Sequence, residues 1–120
     1  MTIAAKQLGN FGEQLACEFL QGQGYEILAR NWRANRVELD IVAWVDSTLV
    51  FCEVKTRRST RHGLPIEAVT AQKLMHLRIA ALSWLSQNRV AHKQIRFDVI
   101  GIIASGRAVP IIDHVQGIQT

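Results

Sequence analysis

The stretch VELDIVAWVDSTLVFCEVKTRR, Val37 to Arg58, decides how the rest of the chain is read. Its β-branched and aromatic residues predict two strands, Val37–Val45 and Thr48–Thr56, with Asp46-Ser47 as the turn between them. Side chains alternate across a strand, so Glu38 and Asp40 share a face, as do Glu53 and Lys55. An antiparallel hairpin with a two-residue turn sets Val45 opposite Thr48. That register carries Asp40 opposite Glu53 and Glu38 opposite Lys55; a four-residue loop gives the same pairing, a three-residue loop does not. Like charges facing each other on a sheet are unfavourable. Two carboxylates ~5 Å apart repel by roughly 3 kcal/mol at an effective dielectric of ~20.

A proton or a cation removes that repulsion. Magnesium is a hard cation that takes one or two carboxylates together with waters and substrate phosphates. Asp40 and Glu53 fit that description, and the backbone carbonyl of Val54 is a further candidate ligand. Lys55 lies one pleat from Glu53, where its ammonium can orient an attacking water and offset charge on a phosphate oxygen. Arg30, Arg33 and Arg36 lead into the stretch, and Arg57, Arg58 and Arg61 leave it. A metal held by carboxylates, a lysine beside it and arginines around it suit phosphodiester hydrolysis. The plainer reading makes Glu53 and Lys55 a solvated pair on an edge strand and Asp40 an acceptor for a loop amide.

Outward from the hairpin, Leu8, Phe11, Leu15 and Phe19 recur at helical intervals, which predicts a first helix from about Ala4 to Gln21, ended by Gly22 and Gly24. Tyr25–Trp32 reads as a strand before the hairpin. After it, RRSTRHGLP is a polar, basic loop, and Thr70 is the N-cap of a second helix running to about Asn88. Gln94–Ile103 and, after a turn at Gly106, Val109–Val115 read as the last strands. The order α-β-β-β-α-β-β is that of a central mixed sheet flanked by helices, an α/β chain forming one domain over residues 1–120.

Composition narrows the classes. With 48% hydrophobic and 20% charged residues the chain is globular in character, and no apolar run approaches the ~20 residues of a membrane span. The N-terminus carries Glu13 at helical spacing and lacks a signal peptide's apolar block, so a cytoplasmic location is expected. Cys17 and Cys52 belong to no paired motif and read as buried apolar residues, while His62, His76, His92 and His114 read as surface or rim residues. The net charge of +4 suits a polyanionic partner without requiring one. Asp98, in RFDVI, reads as a structural or rim residue.

Asp40 followed across a hairpin by Glu53-Val54-Lys55 resembles the PD-(D/E)xK nuclease superfamily, whose members share a restriction-endonuclease-like core. More closely, the chain resembles the YraN-like family of small bacterial proteins. The resemblance runs through GNFGEQLACEFLQGQGYEILARNWR, VELDIVAWVDSTLVFCEVKTRRS, AVTAQKLMHLRIAA and RFDVIGI, nearly the whole chain, in order. It is similar in outline to the archaeal Holliday-junction resolvases, which have a glutamate in the first helix. By that resemblance Asp40 and Glu53 are metal ligands, Lys55 is the catalytic lysine, and Glu13 becomes a further metal or water ligand. Glu38 belongs to the family's G-E-x-D pattern and is a candidate partner of Lys55, but Val37 stands at the glycine position. The resemblance implies a Mg2+-dependent endodeoxyribonuclease, with Mn2+ able to substitute, acting on DNA, and the likeness to the resolvases extends the expectation to branched or repair intermediates.

Arg33, Arg36, Arg57, Arg58 and Arg61 are the candidate nucleic-acid contacts, with Gln72 and Lys73 at the start of the second helix, where a helix N-terminus favours phosphate. Two other readings stay open. One is a non-catalytic nucleic-acid-binding module of nuclease fold acting with a partner protein; the other is a scaffold with no nucleic-acid role. A homodimer would suit a nuclease of two strands, and Trp84 and Leu85 are explained equally well as core or as interface.

Overall fold

The computed structural model describes residues 4–118. Helix α1 covers Ala5–Gly22, and strands β1 (Glu26–Ala34), β2 (Val37–Val45) and β3 (Thr48–Arg57) follow as a meander. A short 3-10 helix, Pro65–Ala68, precedes helix α2 (Ala71–Gln87), and β4 (Gln94–Ile103) and β5 (Ile111–Val115) complete the chain. The sheet order is β1-β2-β3-β4-β5, antiparallel except for the parallel pair β3–β4. The chain is thus an α/β fold with a five-stranded mixed sheet and two helices.

Each face of the sheet meets one helix. Ala43, Val50, Cys52, Ile100 and Ile102 pack with Leu8, Ala16, Cys17 and Leu20 of α1. Val42, Leu49, Phe51 and Val99 pack with Leu74, Leu77, Ala81 and Trp84 of α2. Neighbouring strand residues thus fall into opposite cores, which is why the central strands read as unbroken apolar runs. Trp84 is a core residue, 3% exposed, with its ring edge against Phe51.

Local chemistry explains most boundaries. The Thr70 hydroxyl accepts from the Lys73 amide at 3.2 Å, the expected N-cap of α2. Gly24, at φ +92°, ends the turn after α1, where a left-handed residue is needed. Asp46 and Ser47 both have positive φ, as do Asn35 and Arg36, so both hairpins close through two-residue turns of the mirror-image type whose twist suits the strands. The first strand extends to Ala34 because Val37 pairs with it across the Asn35-Arg36 turn. The last strand starts at Ile111, later than expected, because Pro110 has no amide to give a ladder. The loop after β3 contains the unforeseen 3-10 helix, opened by Pro65.

Candidate active site at the acidic hairpin

The hairpin has the expected register, from Val45–Thr48 to Ile41–Cys52, and there the β2–β3 ladder stops. Asp40 and Glu53 come one step beyond the last pair. In place of a ladder bond, Asp40 Oδ2 accepts the Val54 amide at 2.8 Å. Beyond this point β2 stays with β1, so the cross-strand neighbour of Glu38 is Arg33, with Nε–Oε2 3.1 Å, both side chains exposed. The expected Glu38–Lys55 pairing is therefore replaced by Glu38–Arg33. Val37, at the glycine position of the family pattern, is half-buried and packs on the α2-side core. It has no positive φ, so valine suits its backbone.

Glu53 and Lys55 continue the face of β3 that Leu49 and Phe51 begin, and they emerge beside α2 in a cleft of about 610 Å³. One wall is the β1–β2 turn with Arg33, Arg36 and Glu38; the other is the first half of α2 with Lys73 and His76. Of the expected nucleic-acid contacts, Arg33, Arg36 and Lys73 line the cleft. Arg57, Arg58, Arg61 and Gln72 do not; Arg58, Arg61 and Gln72 are exposed elsewhere. The sequence reading missed His76, although a residue three positions after Lys73 shares its helix face.

Glu13 reaches the acidic group from α1. That helix approaches β3 at Gly12, where an added Cβ would run into the Thr56 hydroxyl. Gly12 is buried, so its missing side chain sets how near α1 can lie to the sheet, and with it the place of Glu13. Burial pushes the Glu13 carboxyl up to about 7, and the negative charge of Asp40 adds to the rise against Asn31 and Arg30. Glu53 is also raised to about 7, by burial first and Asp40 second, against Lys55 and Lys73. Asp40, 8% exposed, is raised chiefly by burial against the pull of the Val54 amide. Lys55 is lowered, first by contact with Lys73 and then by burial, while Glu53 opposes. Each shift has a physical origin that the chain could have avoided, and such groups gather at functional sites.

Oxygen donors of this kind suit a hard cation. The fit is supported by Glu13 Oε1, which is buried without a hydrogen-bond partner, and by the Asp40–Glu53 repulsion that a cation would relieve. Among the described residues no group of three or more His, Cys, Asp or Glu side chains is placed to hold a metal ion. The group is an incomplete oxygen set, short of what a hard cation takes without added waters. Val54, expected to offer its carbonyl, meets Asp40 through its N–H.

On β4, Asp98 is fully buried and accepts from four donor atoms. Arg96 binds both its oxygens at 2.9 Å, His114 Nε2 lies 2.7 Å from Oδ2 and the Gly117 amide 3.0 Å from Oδ1. Arg96 also donates to the Tyr25 hydroxyl at 2.7 Å. This corrects the expectation for His114, whose side chain is only 8% exposed and ties β5 to β4. Cys17 and Cys52 are free and buried, as expected. Among the described residues no helix is long and apolar enough to cross a membrane.

Comparison with known proteins gives one consistent family. The profile of "Uncharacterised protein family UPF0102" matches residues 12–102, which include Glu13, the whole acidic hairpin and α2. A UPF0102 protein of Nocardioides sp. is 47% identical over 116 residues, 96% of this chain and 94% of its own. One from Nocardia farcinica is 45% identical over 111 residues, covering 92% of this chain and 87% of its own. Another, from Geotalea daltonii, is 46% identical over the same shares.

Proposed function

The chain belongs to the uncharacterised protein family UPF0102, and from that footing we propose that it is a metal-dependent nuclease hydrolysing phosphodiester bonds in DNA. The observation that carries the reading is a run of neighbouring carboxylates in which Asp40 raises both Glu13 and Glu53, with Glu53 beside Lys55 in a cleft with basic walls. The meander, the crossover through α2 and the parallel β3–β4 pair are consistent with a restriction-endonuclease-like core. That fold class hosts more than one chemistry, so branched or repair intermediates are the finest part of the proposal.

In this mechanism Asp40, Glu53 and Glu13, with the Val54 carbonyl, are the residues that would hold Mg2+ or Mn2+. The ion would supply Lewis-acid polarisation of the phosphate and a lowered pKa for bound water. The chain's own groups position the reactants. Arg36 and Lys73, on opposite walls, draw the phosphate backbone into the cleft. Lys55 orients the attacking water and offsets charge on a non-bridging oxygen. Hydrolysis places the water's oxygen on phosphorus, breaks the bond to the leaving sugar oxygen and returns a proton to it.

The incomplete ligand set favours a second reading, a nucleic-acid-binding module without catalysis that acts with a partner protein. Calorimetric titration of Mn2+ into the wild type and into Glu53→Gln, both shown folded by circular dichroism, separates the two. Binding by the wild type that is lost in the variant, followed by cleavage that Lys55→Ala abolishes, is the expected result. DNA binding with neither Mn2+ uptake nor cleavage would replace the nuclease with the module.

A further inference from the structure

We propose that Arg36 is the principal phosphate grip of the cleft, an arginine held at the β1–β2 turn in a conformation that glycine would occupy at lower cost. The proposal rests on the nucleic-acid reading above and adds which residue of the cleft wall makes the contact. Arg36 has φ +70° and follows Asn35 at φ +50°, so the pair forms the centre of a turn whose second position favours glycine. A side chain in the left-handed region costs more than glycine would, a cost this chain also accepts at Ser47 in the other hairpin turn. Nothing in the packing repays it, because Arg36 is exposed.

The two arginines of this wall differ in what holds them. Arg33 is neutralised by Glu38 across the strand pair. Arg36 has no ion-pair partner among the described residues, yet it lines the same cleft as Glu53, Lys55 and Lys73. Its guanidinium is therefore the uncommitted cation on the hairpin wall, facing a cleft whose opposite wall carries Lys73. A guanidinium presents a planar fork that matches two phosphate oxygens, which a point charge does not.

The test has two readouts with opposite expected signs. Arg36→Gly should raise Tm by about 2–5 °C, because glycine relieves the turn. The same substitution should weaken binding of a short labelled DNA oligonucleotide roughly tenfold in EDTA, where no metal-dependent cleavage occurs. The slope of log K against log salt should become shallower by about 0.7–0.9, one phosphate contact. Arg36→Asn, which tolerates positive φ without the charge, should lose the same affinity, and Arg36→Lys should recover only part of it. Unchanged affinity and slope in Arg36→Gly and Arg36→Asn would overturn the assignment, and so would a fall in Tm for Arg36→Gly. If the wild type binds no DNA at low salt, the nucleic-acid reading itself falls, and this inference with it; wild-type binding with indifferent variants removes the inference alone.

Discussion

Asp40 and Asp98 are both buried aspartates of one sheet, yet their surroundings push them in opposite directions. Burial acts to raise both, but Asp98 is brought below its ordinary value by His114, Arg96 and the Gly117 amide together. Asp40 is helped by one backbone amide and by a side-chain hydrogen bond with Glu53, yet burial and the Glu38 charge leave it above its ordinary value. A buried carboxylate is therefore no sign of a site by itself. What separates the two is how completely the protein satisfies the charge: Asp98 is finished within the fold, and Asp40 is not.

The largest expected effect tests that contrast directly. Asp98→Asn strands the Arg96 guanidinium and should cost about 3–5 kcal/mol in chemical denaturation. Glu53→Gln removes a like charge beside Asp40 and should leave stability unchanged or raise it at pH 8. Equal losses in the two variants would erase the distinction between a structural and a functional carboxylate. Gly12→Ala, an overpacking change, should cost about 1–3 kcal/mol and also weaken Mn2+ binding by displacing Glu13. Adding Thr56→Ala should restore part of both, whereas stability recovered without metal affinity would dissociate Gly12 from the site.

The smallest effect lies in pH dependence. Glu13 and Glu53 titrate near 7 in the folded chain against an ordinary 4.5, so the folded state holds the extra protons. In chelator, Tm should therefore fall as pH rises from about 4.5 to 7 and level off above that. Glu53→Gln or added Mn2+ should flatten the curve. Asp98 behaves in the opposite sense: its contribution is complete above about pH 4 and is lost only as pH drops through its lowered folded value, below 3.8. A wild-type Tm that rises between pH 5 and 7 in chelator would contradict the shifts at the cleft.

What could be read from the sequence was mostly local. Alternation along β2 and β3 and the turn at Asp46-Ser47 set the register, and Thr70 announced α2, because each signal lies within a few residues of what it determines. Partnerships made by tertiary packing left no such trace. Glu38 turns to Arg33 because β2 parts from β3, a divergence that strand periodicity does not encode. His114 looked like a rim residue because its partner Asp98 sits on the neighbouring strand and Phe19 covers it from α1. The contact of Gly12 with Thr56 joins residues far apart in sequence, so the glycine alone said nothing of Glu13's placement.

The parallel β3–β4 pair also governs the order of assembly. Strands β1 to β3 are joined by two-residue turns and can form as a local meander, whereas Thr48 of β3 must wait for Gln94 of β4, beyond the whole of α2. Closing that distance precedes any reward from it, which makes parallel pairing a slow event. Until β4 arrives, Leu49-Val50-Phe51-Cys52 is an apolar strand with an open edge, the kind of segment that seeks other chains. Nascent copies are thus most prone to stick to one another in the interval between the meander and the crossover. Glu53, Lys55 and the arginines after them are the gatekeepers that flank the segment during that interval.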